Sequence, residues 1–238
     1  KDLPANITDP SVSTSDWDDI TVPGNWEVQG HGTAIYTNHG YEFKPRNPQP
    51  PLLPEANPVG VYRRDFEVPA GWDGRDIYLH IAGAKSGLYV YVNGKEVGYS
   101  EDSKNPAEFL INKYLQPGKN VLTLKIFRWS TGSYLECQDF WRLSGIERDV
   151  YLWSQPKIAV NDYRIVSTLD DTYKNGIFSL AIDIKNHSDK VKNIDVTYEL
   201  LDAKGNVAAT AENKLWVSPN PIKTTSFEKT LDNVETWN

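Results

Sequence analysis

Apolar residues fall at every second position through one stretch of this chain after another. That rhythm suits a strand with one face buried and the other wet. Ile77, Leu79 and Ile81, then Leu88, Val90 and Val92, then Leu122, Leu124 and Ile126 each form such a set, so each segment is predicted as a half-buried β-strand. Turn residues separate them. Asn93-Gly94 suits a type I′ hairpin, because both central positions need positive φ, and Pro117-Gly118 marks a turn before the strand from Asn120. No helical period competes with this pattern. Many short strands joined by Gly- and Pro-rich turns imply an antiparallel sandwich or jelly roll, closed by DVYLW at 149–153.

The alternation resumes after Ser154-Gln155-Pro156. Phe178, Leu180, Ile182 and Ile184 share one face, Ile194, Val196, Tyr198 and Leu200 share another, and Lys204-Gly205-Asn206 turns the chain back. The 238 residues leave length for two domains, each with its own core. The division predicted is a jelly roll over residues 1–156 and an immunoglobulin-like sandwich over 157–238, so the chain is all-β. Its single cysteine, Cys137, makes no internal disulfide, and no Cys…Trp…Cys pattern is present, so packing must hold the second sandwich. Two stretches read as irregular. Residues 1–19 are polar and are predicted to run as an extended arm that meets the domain at Ile20 to Pro23. Residues 43–58 hold Pro45, Pro48, Pro50, Pro51, Pro54 and Pro58, which excludes helix and central strand and leaves a long, stiff loop.

A formal charge of −7 repels phosphate backbones and anionic lipid, so neither nucleic acid nor a membrane surface is expected as a partner. No run of about 18 apolar residues occurs, and the opening residues lack the charged-then-apolar order of a signal peptide. The chain begins at Lys1 and contains no methionine, so a trimmed start is expected, and the compartment stays open between periplasm and cytoplasm. Cys137 has no recognisable base partner for nucleophilic work. His31, His39, His80 and His187 show no zinc-ligand spacing.

Chemistry concentrates between Arg128 and Val150 (RWSTGSYLECQDFWRLSGIERDV). Trp129, Tyr134, Phe140 and Trp141 offer flat apolar faces that can cover the C–H groups of a sugar ring, and Gln138, Asp139 and Arg142 offer partners for its hydroxyls. The plainer reading is a buried aromatic corner with Asp139 paired to Arg142. Glu136, Asp139 and Glu147 lie close together in sequence. Glycoside hydrolysis needs two carboxyl groups about 5 Å apart for retention, or about 6.5–9.5 Å for inversion, and acids are too common in this chain for their proximity to signal catalysis.

QDFWRLSGIERDV, IYTNHGY at 35–41, VPGNWEVQG at 22–30 and NPVGVYRRDFEVP at 57–69 together resemble, in order and spacing, the amino-terminal region of glycoside hydrolase family 2 β-galactosidases. The resemblance implies a galactose-binding-like jelly roll, then an immunoglobulin-like sandwich, then a catalytic TIM barrel of which these residues show no pattern. It therefore implies a non-catalytic front part, with both catalytic glutamates in the barrel and no catalytic residue here. Carried over by motif, Asn38 in YTN and Asp139 in QDFW match positions that reach into the barrel's galactose pocket. In some members the residue matching Asp139 also ligates sodium. No cofactor is expected of this segment itself; sodium and magnesium would belong to the full-length enzyme, as would a β-galactoside substrate and a homo-oligomer. Trp26 and Trp141 are assigned to packing. The sequence departs from the commoner pattern at Cys137, where an acid is frequent, and at GYEFKP after Asn38. Thr236-Trp237-Asn238 resembles the segment before the last strand of the second sandwich, so an unfilled sheet edge is expected there. Three other readings stand beside this one: a free-standing carbohydrate-binding module, a relative such as a β-glucuronidase or β-mannosidase, and an adhesion protein built from two sandwiches.

Overall fold

The computed structural model describes residues 3–43 and 46–236. Lys1, Pro45, Trp237 and Asn238, which entered the expectations above, lie outside them. The chain divides into two compact units, Lys1–Ser154 and Gln155–Asn238.

The strands of the first unit are β1 Gly24–Asn25, β2 Ile35–Thr37, β3 Val59–Glu67, β4 Asp76–Ile81, β5 Ala84–Lys85, β6 Gly87–Val92, β7 Lys95–Ser100, β8 Ala107–Leu110, β9 Lys119–Phe127, β10 Phe140–Arg142, β11 Gly145–Ile146 and β12 Val150–Gln155. A four-stranded sheet in the order β3-β9-β6-β7 and a three-stranded sheet in the order β12-β4-β8 make up most of it. Their alternate residues meet in one core. Ile77, Leu79 and Ile81 from β4, Leu88, Val90 and Val92 from β6, and Leu122, Leu124 and Ile126 from β9 are all buried together with Trp26 and Ile146. These are the residues that the period-two pattern singles out. The hairpin also forms as expected: Asn93 and Gly94 take φ of 52° and 76°, and Val92 pairs with Lys95 across the turn. Trp26 packs where Gly60 makes room, since a Cβ on that glycine would sit 2.3 Å from the indole.

The amino-terminal arm is not extended. Backbone hydrogen bonds Ile7 N to Pro4 O, Asp9 N to Asn6 O, Val12 N to Asp9 O and Trp17 N to Thr14 O fold it into successive turns. One side chain of β3 holds it down. The Arg63 guanidinium donates to the carbonyls of Val12 at 2.6 Å, Ile7 at 2.7 Å and Asp9 at 3.0 Å, and lies 5.3 Å from the Trp17 ring centre. Polar composition suggested a solvated strand, but Ile7 is buried, and converging carbonyls on a fixed arginine favour a compact path. Residues 46–58 contain no helix or strand, in keeping with their prolines. Asn57 pins the end of this loop, donating from Nδ2 to Trp129 O at 2.8 Å and accepting from Trp129 N at 3.1 Å.

The second unit contains β13 Ile158–Leu169, β14 Gly176–Asn186, β15 Lys192–Leu201, β16 Val207–Val217 and β17 Lys223–Leu231. One sheet runs β13-β14-β17 and the other is the β15-β16 hairpin. Phe178, Leu180, Ile182 and Ile184 are buried against Val196, Tyr198 and Phe227, with the Tyr198 ring 5.5 Å from Phe178 and 4.9 Å from Phe227. Packing without a cross-link therefore holds this sandwich. Cover is uneven, however. Tyr163 and Ile165 pair with the buried Ile182 and Leu180, yet both are exposed.

Candidate functional site

Asn38 and Asp139, 101 positions apart in sequence, come to the same end of one β-ribbon. Strand β2 pairs antiparallel with β10, matching Ile35 with Arg142, Tyr36 with Trp141 and Thr37 with Phe140. Asn38 and Asp139 are the residues just beyond the Thr37–Phe140 pair. A hydrogen bond of 3.0 Å from Phe140 N to Gln138 O closes a tight turn centred on Asp139. Both side chains are exposed.

Alternation gives the ribbon two unlike faces. The inward face carries Arg142, 2% exposed, whose Nε lies 3.6 Å from Glu42 Oε2. Glu42 is itself nearly buried and accepts from Trp129 Nε1 at 2.8 Å. Arg142 Nη2 also donates to Thr37 O at 3.4 Å, and the Arg128 guanidinium donates to Thr33 O at 2.8 Å and Arg142 O at 3.3 Å. Phe140 lies among cations, with Lys85 Nζ 4.6 Å and the Arg142 guanidinium carbon 5.2 Å from its ring centre. Lys85 is buried, and removal from water is the main cause holding its ammonium pKa below the ordinary value, assisted by the charge of Lys104.

The outward face carries Tyr36 and Trp141, 55% and 54% exposed, with ring centres 5.7 Å apart. Tyr36 Oη donates to Asp139 Oδ1 at 2.8 Å. That hydrogen bond is the first cause, and the carboxylate's charge the second, of a phenol pKa raised above its usual value. Beside Asn38, the His39 Nδ1 lies 2.7 Å from the Asn38 Oδ1. A proton on that nitrogen would occupy the amide oxygen and leave the Asn38 Nδ2 to donate elsewhere.

The three acids close in sequence have different uses. Glu136 accepts from Ser103 N at 2.9 Å and Ser103 Oγ at 2.6 Å. Glu147 pairs with Lys104 and meets Asn25 Nδ2 at 3.4 Å. Asp139 alone of the three faces solvent, and among the described residues its carboxylate has no cationic partner. The Asp139–Arg142 pair of the plainer reading does not form; Glu42 takes the arginine inward.

Several expected sugar contacts are instead structural. Tyr134 is buried, with ring centres 4.9 Å from Tyr41 and 5.2 Å from Phe43, and Phe43 lies 5.6 Å from Trp129. For Trp129 and Tyr134 the aromatic-corner reading is correct: they wedge the proline-rich loop against the sandwich. Arg142 and Phe140 likewise serve the inward face. Trp141 departs from its packing assignment in the opposite sense, because the ribbon's register turns it outward. Glu42 and Lys85 escaped sequence reasoning, since a single charged residue carries no signal until its partner is known.

The comparisons agree with this architecture. A family model described as "Glycosyl hydrolases family 2, sugar binding domain" matches residues 4–156, and one described as "Glycosyl hydrolases family 2" matches residues 158–238. The chain belongs to glycosyl hydrolase family 2. It is 39% identical over 236 residues to a β-galactosidase of Priestia megaterium, covering 98% of this chain and 23% of that protein. It is 42% identical over 200 residues to a β-galactosidase of Halalkalibacterium halodurans, covering 83% of this chain and 20% of that protein. The chain thus spans roughly a quarter or less of these relatives' length. Among solved structures, a Bacteroides uniformis β-glucuronidase 2 superposes with a TM-score of 0.79 at 21% identity, covering 99% of this chain and 27% of that one. At that identity the likeness concerns the fold alone.

The described residues hold no group of three or more His, Cys, Asp or Glu side chains placed to bind a metal.

Proposed function

We propose that this chain is the front part of a β-galactosidase, and that its β2–β10 ribbon completes a galactoside pocket whose catalytic glutamates lie in a downstream barrel. The supporting observation is the convergence of Asn38 and Asp139 on one exposed ribbon end, where the carboxylate has no cationic partner among the described residues while its neighbours Glu136 and Glu147 are engaged. A free carboxylate accepts from adjacent sugar hydroxyls, and an amide donates and accepts beside it. Contacts of this kind orient the ring and, where they tighten as it flattens, lower the barrier. The β-galactosidases that are about 40% identical favour galactose. Sodium, if bound by the full-length enzyme, would take Asp139 as one ligand and its others from the barrel; magnesium would likewise belong to the full-length enzyme.

The test is Asp139→Asn in the full-length enzyme, assayed on an aryl β-galactoside. The expected result is a loss in kcat/KM of about 100-fold or more with an unchanged melting temperature. Near-normal turnover would make Asp139 a surface residue only. Running the unsubstituted enzyme in parallel on the matching β-glucuronide separates the two substrate classes, since a preference for the uronide would overturn the galactoside reading.

A further inference from the structure

The outward face of the ribbon carries more than the two residues that motif matching selects. Tyr36 lies opposite Trp141 in the register, and its hydroxyl reaches Asp139 Oδ1 at 2.8 Å. Among the described residues this is the one hydrogen bond made to that carboxylate, and it comes from the neighbouring strand of the ribbon. Asp139 itself sits in a bend and not in a ladder, so backbone pairing leaves its side chain free to rotate. A carboxylate with one oxygen anchored has lost most of that freedom, and its second oxygen is then presented in a defined direction. The Trp141 ring, 5.7 Å from Tyr36, limits where the phenol can swing.

We propose that Tyr36 is a positioning residue of the galactoside site: its phenol anchors Asp139 Oδ1 so that Oδ2 is presented to the sugar hydroxyls, with Trp141 bracing the phenol from the opposite strand. The inference rests on the functional reading above. Tyr36 acts through Asp139 and needs no contact of its own with substrate. A ring kept only for packing would do its work without the hydroxyl, so the oxygen atom is the discriminating feature.

The experiment is a double-mutant cycle in the full-length enzyme with Tyr36→Phe, Asp139→Ala and both together, measuring kcat and KM on an aryl β-galactoside and the melting temperature of each variant. Tyr36→Phe alone is expected to lower kcat/KM roughly tenfold, the size of one hydrogen bond to a charged group, while melting stays close to the parent value, since the pair is exposed. In the Asp139→Ala background the same substitution is expected to change nothing further, because the anchored group is gone. Tyr36→Trp, which retains a ring without the hydroxyl, should not restore activity. If Tyr36→Phe retains full kcat/KM, or lowers it equally with and without Asp139, the positioning role is wrong. If Asp139→Asn leaves turnover intact, the site reading itself has failed, and that outcome is distinct from a normal Tyr36→Phe beside a crippled Asp139→Asn.

Discussion

Two aromatic groups a few residues apart in sequence meet opposite fates. Trp129 and Tyr134 fold inward with Tyr41 and Phe43 and hold the proline-rich loop; Tyr36 and Trp141 stand on a ribbon face with more than half of each side chain open. The first group sits where the chain leaves β9 for a short 3₁₀ turn at Thr131–Tyr134, over ground already occupied by the loop. The second pair is set by a ladder whose opposite face is anchored by the buried Arg142–Glu42 contact. Residue type does not separate a buried aromatic from an exposed one. The neighbour on the far side of the backbone does.

This contrast can be broken experimentally, beginning with the anchor. Arg142→Ala leaves Glu42 buried without its cation, and is expected to destabilise the first unit by about 3–5 kcal/mol, read as a lowered urea midpoint. A shift below about 1 kcal/mol would mean that the inward face does not hold the ribbon. Tyr134→Ala removes a buried ring from the corner and should cost about 3 kcal/mol by the same measurement. Trp141→Ala should cost less than about 1 kcal/mol, as is usual for exposed positions. Equal losses for Tyr134→Ala and Trp141→Ala would erase the distinction between corner and ribbon face.

The smallest effect is a titration. The Tyr36 phenol has its pKa raised above the ordinary 10.0, first by its hydrogen bond to Asp139 and then by that carboxylate's charge. Since the folded value is the higher one, the contact's contribution to stability is complete below the unfolded phenol's pKa and is lost as pH rises through the folded value. Asp139→Ala should return this phenol to its ordinary range, seen as an earlier rise in phenolate absorbance. An unchanged titration would show that the two groups do not touch in solution.

Most of the framework was legible from the residues. The alternating sets in β4, β6, β9 and β14 are the buried residues of the two cores, because a period of two assigns faces whatever lies opposite. The Asn93-Gly94 hairpin was legible for an equally local reason, the φ it demands. The amino-terminal arm was not. Its turns depend on Arg63, some fifty residues away in sequence, and its own polar composition suits a solvated strand just as well. Nor did the second unit's pattern reveal that Tyr163 and Ile165, opposite buried residues of β14, stand uncovered. Alternation tells which side a residue takes, and cover depends on another sheet.

At the site itself, the residues alone determined that an acid and an amide stood in aromatic, hydrogen-bonding surroundings, and the motifs pointed to Asn38 and Asp139. Tertiary structure decided which of the neighbouring groups are free to act. Glu42 draws Arg142 inward, Ser103 occupies Glu136, Lys104 occupies Glu147, and Tyr36 reaches Asp139 from the opposite strand. The reason is physical: a charged side chain's role is fixed by its partner and by its access to water, and the β2–β10 register brings together partners about a hundred residues apart that no local pattern connects.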